Sequence, residues 1–184
     1  MTTAATRSPE QRVRELGLAI PEDVAPAAHY ELVTVHGGLL YLSGQLPRVD
    51  GRVAVTGCVG GGVSLEQARE GARLCTLRAM AVLRQALGSL DRVERVLKLQ
   101  VFVHSDPAFT RHSDVADAAS DLLVELFGSA GRAARTAIGA AQLPQGASVE
   151  LDLIVASTAA VPSSKEPSHQ IGRASCRERV SGLV

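Results

Sequence analysis

Two helix-period stretches interleaved with β-rich runs set the order of elements in this chain. Ser64, with Gln67 three residues later, makes a capping-box pattern. Behind it Leu65, Ala68, Ala72, Cys75, Ala79, Val82 and Leu83 recur at helical spacing until Gly88. The second stretch, 112–127, turns Val115, Ala118, Leu122, Leu123 and Leu126 inward and stops at Gly128. Glu66, Arg69, Glu70, Arg73, Arg78 and Arg84 fall mostly off the first stripe and read as a solvated face with i,i+3 and i,i+4 partners. Residues 32–35 and 39–42 are β-rich and joined by His36-Gly37-Gly38, which predicts a hairpin. Further strands are expected over 93–103, 136–142 and 147–155, the last two separated by Leu143-Pro144-Gln145-Gly146. Ser8-Pro9 opens a short helix over 10–16 that Gly17 stops. Asp50-Gly51, Gly57 and Gly60-Gly61-Gly62 give 45–63 the chemistry of a loop, with one poor strand around 53–55.

The resulting order, ββ-α-β-α-ββ, predicts an α+β layer in which two helices cover one face of a mainly antiparallel sheet. In the last strand Val149, Leu151, Leu153 and Val155 alternate with Ser148, Glu150 and Asp152, so the sheet's other face is partly polar. Such a face suits a subunit contact. A length of 184 residues leaves room for one full core. Nineteen basic residues balance nineteen acidic ones, and aromatics make up 3%, which argues against a partner bound through its phosphate backbone or through stacked bases. No run approaches eighteen uncharged apolar residues, so no membrane partner is expected. Cys58, Cys75 and Cys176 have neither paired spacing nor nearby histidines. No disulfide framework and no metal are expected, and a reducing cytoplasm is the expected location. His104 and His112 lack partners at ligand spacing and read as surface or capping residues.

Residues 133–151, AARTAIGAAQLPQGASVEL, resemble the signature of the RidA/YjgF family of reactive-intermediate deaminases, also filed as L-PSP endoribonuclease-like proteins. Tyr30, thirteen residues before Ser43-Gly44-Gln45-Leu46-Pro47, and Phe102-Val103 at the end of a strand extend the likeness over roughly 16–157. Val63-Ser64-Leu65-Glu66, Ser120-Asp121-Leu122-Leu123-Val124-Glu125 and the N-terminal helix look like a distinct branch. The resemblance implies a chorismate-mutase-like fold, a homotrimer whose sheets form a central β-barrel, clefts between subunits, and no cofactor. It implies hydrolysis of enamine or imine (2-imino acid) intermediates to 2-keto acids and ammonia.

In that frame Arg135 matches the arginine that holds the substrate carboxylate, a task suited to a planar, permanently charged fork. Glu150 matches the acid that positions or activates water, while Tyr30, Ser43, Gly44 and the backbone at Ala137 match the rest of the substrate contacts. A small-molecule carboxylate, imino or keto acid, is the implied partner. Ala137 stands where Cys is common, and Asp117 where Asn is common. A carboxylate at 117 either repels an anion or faces solvent. A non-catalytic carboxylate-binding trimer is the alternative function, and endoribonuclease activity a third that charge and composition disfavour. If 143–146 closes a two-residue hairpin, Glu150 pairs near Gly139, roughly 13 Å along the strands from Arg135, so the two form no simple ion pair within a chain.

Residues 171–180, IGRASCRERV, back-translate without mismatch to a common sequencing-adapter string and are expected to be an artefact of the gene model. Without residues 171–184, which hold three Arg and one Glu, the chain carries 16 basic against 18 acidic residues. The expected organisation is a tail and short helix over 1–17, one domain over 18–157, and a Pro/Ser-rich disordered tail over 158–184.

Overall fold

The structure is a computed structural model that describes residues 7–22, 24–26 and 29–158. The adapter-like segment and Cys176 lie outside the described residues. The elements run α1 (Pro9–Glu15), β1 (Val33–His36), β2 (Leu39–Leu42), β3 (Arg48–Val49), β4 (Arg52–Val53), α2 (Leu65–Leu87), β5 (Val93–His104), α3 (His112–Phe127), β6 (Ala134–Ala140) and β7 (Val149–Ser157).

Local chemistry explains the ends. Ser64 Oγ accepts from the Gln67 N–H at 3.2 Å, Gln67 Oε1 accepts from the Ser64 N–H at 2.9 Å, and Gly88 closes α2 at φ +79°. A second capping box, Ser8 with Gln11, starts α1. Glu10 then takes a forked pair of hydrogen bonds from Arg84 at 3.0 and 2.8 Å and one from the Leu90 N–H at 2.9 Å, which fastens α1 to the far end of α2. Gly37 and Gly38, at φ +58° and +80°, make the tight β1–β2 hairpin turn that needs left-handed backbone at both positions.

Five strands form one sheet in the order β1-β2-β7-β5-β6, with β6 parallel to β5 and every other pair antiparallel. This corrects the expected β6–β7 hairpin. The segment β5–α3–β6 is a crossover unit, which lays β6 parallel on the outer side of β5. Pro144–Gly146 forms a single 3₁₀ turn, with Gln145 and Gly146 at φ +57° and +70°. Beyond it β7 enters on the other side of β5, between β5 and β2. Glu150 therefore pairs with Phe102, not Gly139. The poor strand expected at 53–55 is a two-stranded ribbon instead, β3 against β4 across a turn with Asp50 and Gly51 at φ +49° and +76°.

One face of the sheet carries Leu40, Val96, Leu99, Val101, Val103, Val149, Leu151, Leu153 and Val155, all buried against α2 and α3. Small residues let α2 lie close, and a Cβ at Gly71 would meet Val149 and Val55 at 3.6 Å. Among the described residues, no helix covers the other face. It carries Lys98 donating to Thr136 Oγ1 at 2.7 Å, Gln100 donating to Asp152 at 3.1 Å, and exposed Tyr41 and Ile138.

Gly131 turns the chain from α3 into β6 so tightly that a Cβ there would sit 2.1 Å from the Leu123 carbonyl oxygen and 2.9 Å from the Val124 nitrogen. Backbone cannot rotate away as a side chain can. Gly131→Ala is expected to cost about 3 kcal/mol, read as a lower urea midpoint at unchanged slope.

Candidate functional site

The site begins where the chain leaves β2. The Ser43 N–H donates to the Leu32 carbonyl at 2.9 Å and its Oγ to the Glu31 carbonyl at 2.7 Å, which binds the Tyr30–Leu32 segment to the end of β2. Gln45 rejoins the sheet beside β7, donating to the Leu151 carbonyl at 2.7 Å and accepting from its N–H at 3.1 Å. Its own side chain, 2% exposed, folds back to donate to the Ser43 carbonyl at 2.9 Å. These bonds put Gly44 against Glu150. A Cβ at 44 would lie 1.9 Å from Glu150 Oε1 and 2.8 Å from its Cδ, so only glycine leaves the carboxyl its place.

A cavity of about 630 Å³ opens there, lined by Tyr30, Leu32, Ser43, Gly44, Arg48, Arg78, Pro144, Gln145 and Glu150 among others. That is the size of a small-molecule site. Glu150 has no hydrogen bond or ion pair among the described residues. Burial, and then the like charge of Asp152 two residues along the same face, push its carboxyl above the usual carboxylate range. Arg78 reaches in from α2, also without an ion pair or hydrogen bond among the described residues, and its Nε is buried without a partner. Burial, and then Arg48, lower its pKa from the ordinary arginine value. Arg48 donates from Nη1 to the Gly51 carbonyl at 2.8 Å across the ribbon turn.

Of the residues expected at the site, the chain brings Tyr30, Ser43, Gly44 and Glu150 together at one cavity. Arg135 and Ala137 stand elsewhere, on β6. Arg135 is registered with Leu99 and so shares the helix-covered face, whereas Glu150, registered with Phe102, belongs to the open face. They stand two strand spacings apart, with β5 between them, and three residues offset, roughly 10 Å across the sheet and 10 Å along it. The Arg135 guanidinium donates to Asp117 Oδ1 at 2.7 Å and to Ser120 Oγ at 3.0 Å on α3. Asp117 thus faces this arginine, and Ala137 packs on the core.

Arg78 corrects the reading of the α2 charges as a solvated face. Three residues after Cys75 and four before Val82, it lies in line with the buried stripe, and that spacing is the signal that marks it in the sequence. Two of the other charges bind neighbours: Arg84 binds Glu10, and Arg69 donates to the Asp114 carbonyl. His112 Nε2 shares a hydrogen bond of 3.0 Å with Ser105 Oγ, and His104 Nδ1 is buried without a partner. Among the described residues no group of three or more His, Cys, Asp or Glu could hold a metal ion, and no helix is long and apolar enough to cross a membrane. Cys75 is buried, and burial pushes its thiol up, away from reactivity.

A family profile described as "YjgF/chorismate mutase-like, putative endoribonuclease" matches residues 10–156. Protein TCP17 of Trypanosoma cruzi is 43% identical over 156 residues, 84% of this chain and 98% of that protein. Protein Atu1372 of Agrobacterium tumefaciens is 44% identical with a TM-score of 0.76, over 81% of this chain and 92% of that one. A structure from Shewanella oneidensis, described as "a putative endoribonuclease", is 32% identical with a TM-score of 0.78, over 82% of this chain and 99% of that one.

The raised carboxyl at Glu150 fixes the sign of a stability experiment. Its value is higher folded than unfolded, so its contribution is fully present below the unfolded value of about 4.3 and is lost as pH rises through the folded one. Glu150→Gln is therefore expected to raise the thermal midpoint at neutral pH, with the gain shrinking toward zero below about pH 4. In a Gly44→Ala background, where the carboxyl is pushed toward water, the neutral-pH gain is expected to fall.

Proposed function

Because the chain belongs to the YjgF/chorismate-mutase-like family, we propose that it hydrolyses the C=N bond of a small 2-imino acid, or its enamine tautomer, to a 2-keto acid and ammonia. The observation that carries this reading is the Glu150 carboxyl, partly buried, unpartnered among the described residues and held above the usual carboxylate range at the wall of a substrate-sized cavity. A carboxyl raised in this way holds a proton more readily than an ordinary carboxylate does, which suits it to take one from water and give it back.

Water adds through its oxygen to the iminium carbon while one of its protons passes to the Glu150 carboxylate, and the C=N electron pair moves onto nitrogen. Glu150 then gives that proton to the amine nitrogen. The adduct's hydroxyl proton returns to the carboxylate as the C=O bond forms and the C–N bond breaks, and Glu150 then passes that proton to the released ammonia, which leaves as ammonium and restores the carboxylate. Tyr30 and the Gly44 backbone border the reacting carbon in this reading.

The substrate's own carboxylate falls to Arg135. Since Arg135 and Glu150 stand on opposite faces of one sheet, the reading requires a homotrimer in which Arg135, on the edge strand β6, reaches the cavity of a neighbouring subunit and exchanges Asp117 for the substrate. The exposed Ile138 and Tyr41 on the open face support such a contact. A second reading is a trimer that binds small carboxylates without turnover.

The test generates an imine in situ with an amino-acid oxidase and traps what remains. The expected result is faster imine loss with added protein, a fall on the order of 10²-fold or more in Glu150→Gln, and a scattering mass of three chains. The acid limb of the rate profile should lie above about pH 4.3 and vanish in Glu150→Gln. No acceleration, an equally fast Glu150→Gln, or a monomer overturns the proposal. Keto-acid binding without turnover establishes the second reading, and RNA cleavage by purified protein, lost in Glu150→Gln, would replace both with nuclease chemistry.

A further inference from the structure

Arg78 has no part in the reaction just described, yet it is the group in the cavity whose needs are least met. Among the described residues two buried side-chain nitrogens lack a partner, His104 Nδ1 and Arg78 Nε. Arg12, Arg69, Arg84, Arg92 and Arg135 each donate to a carboxylate or a carbonyl, and Arg78 donates to neither. A desolvated guanidinium left in that state is costly, and an anion placed in its fork removes the cost by taking parallel hydrogen bonds from Nε and Nη. Glu150 is not that anion, because no ion pair joins it to Arg78. Arg48 adds a second positive charge on the same cavity, and it is near enough to disfavour the charge on Arg78. Two like charges facing one space are stable together when an anion lies between them.

We propose that Arg78 and Arg48 form a second anion-recognition point in the cavity, and that its substrates are 2-imino acids whose side chain ends in a carboxylate. The proposal rests on the reading of the cavity as the substrate site. Arg135 supplies the grip on the first carboxylate, and Arg78 takes the second. Space allows it, since about 630 Å³ lies within the range of cavities that hold drug-sized ligands, more than a three-carbon acid needs. Glu150 in the same cavity favours a singly charged carboxylate end over a doubly charged phosphate, which it would repel more strongly.

Calorimetric titration of the full chain with two stable keto acids of equal length tests this: 2-oxoglutarate, a dicarboxylate, and 2-oxopentanoate, its monocarboxylate counterpart. Wild type should bind the dicarboxylate about tenfold to a hundredfold more tightly. Arg78→Gln should bring the dicarboxylate to the level of the monoacid and leave the monoacid unchanged, with Arg48→Gln giving a smaller loss. Arg78 makes no hydrogen bond or ion pair among the described residues, so the variant should fold and its thermal midpoint should not fall. If it does not fold, Arg78→Lys, which keeps the charge and loses the fork, should retain only part of the preference. Equal affinity for the two acids in wild type, a preference that survives Arg78→Gln, or an equal loss for both acids overturns the proposal. Binding of unreactive acids is independent of turnover. An Arg78-dependent preference without imine hydrolysis sinks only the deaminase reading, and hydrolysis without a preference sinks only this one.

Discussion

Strand β7 lies between β2 and β5, and the rest of the molecule depends on it. Its alternation sends Val149, Leu151, Leu153 and Val155 into the core beneath the helices and Glu150 and Asp152 to the opposite face. A shift of one residue in register would bury both carboxylates in an apolar core, so the pairing is strongly specified. The same register puts Leu151 where Gln45 can bond it and Glu150 where Gly44 must yield to it. Core packing and placement of the candidate acid are therefore one decision.

The cavity collects groups that are each poorly satisfied by the fold. Glu150 is partly buried beside another acid, and Arg78 is partly buried beside another base. They do not pair with each other. An ordinary stabilising arrangement would join them, as Arg84 and Glu10 are joined between α1 and α2. Unpaired groups of opposite sign at the walls of one cavity are what a ligand with its own charge distribution can complete, and desolvation makes each interaction stronger than it would be in water.

The layer arrangement, both long helices with the capping box of α2 and their glycine stops, the β1–β2 hairpin and the succession of the longer elements along the chain were legible because each is a local pattern: period 3.6, period 2, a capping box, a Gly-Gly turn. The position of β7 was not. A short connection suggests a hairpin, and nothing near Leu143-Pro144-Gln145-Gly146 shows that the place beside β6 is taken by β5, which α3 returns to in parallel. The ribbon over 48–53 was equally hidden, since its strands are two residues each and bond mainly to themselves. At the site, Tyr30, Ser43, Gly44 and Glu150 came from the motif likeness and meet at one cavity, whereas Arg78 was set aside with the solvated charges of α2 despite sitting in line with the buried stripe.

The sequence by itself determined the helices, the longer strands and the apolar face of the last strand, because those follow from spacing along a single strand or helix, while the family resemblance supplied the motif that holds Glu150 and Arg135. Only the tertiary structure decided that Glu150 and Arg135 fall on opposite faces and two strands apart, that Asp117 holds Arg135, and that Arg78 and Arg48 share the cavity with Glu150. Those facts depend on which strands are neighbours. Neighbour choice is set by helix crossover and by burial of the whole sheet, and no window of the chain contains it.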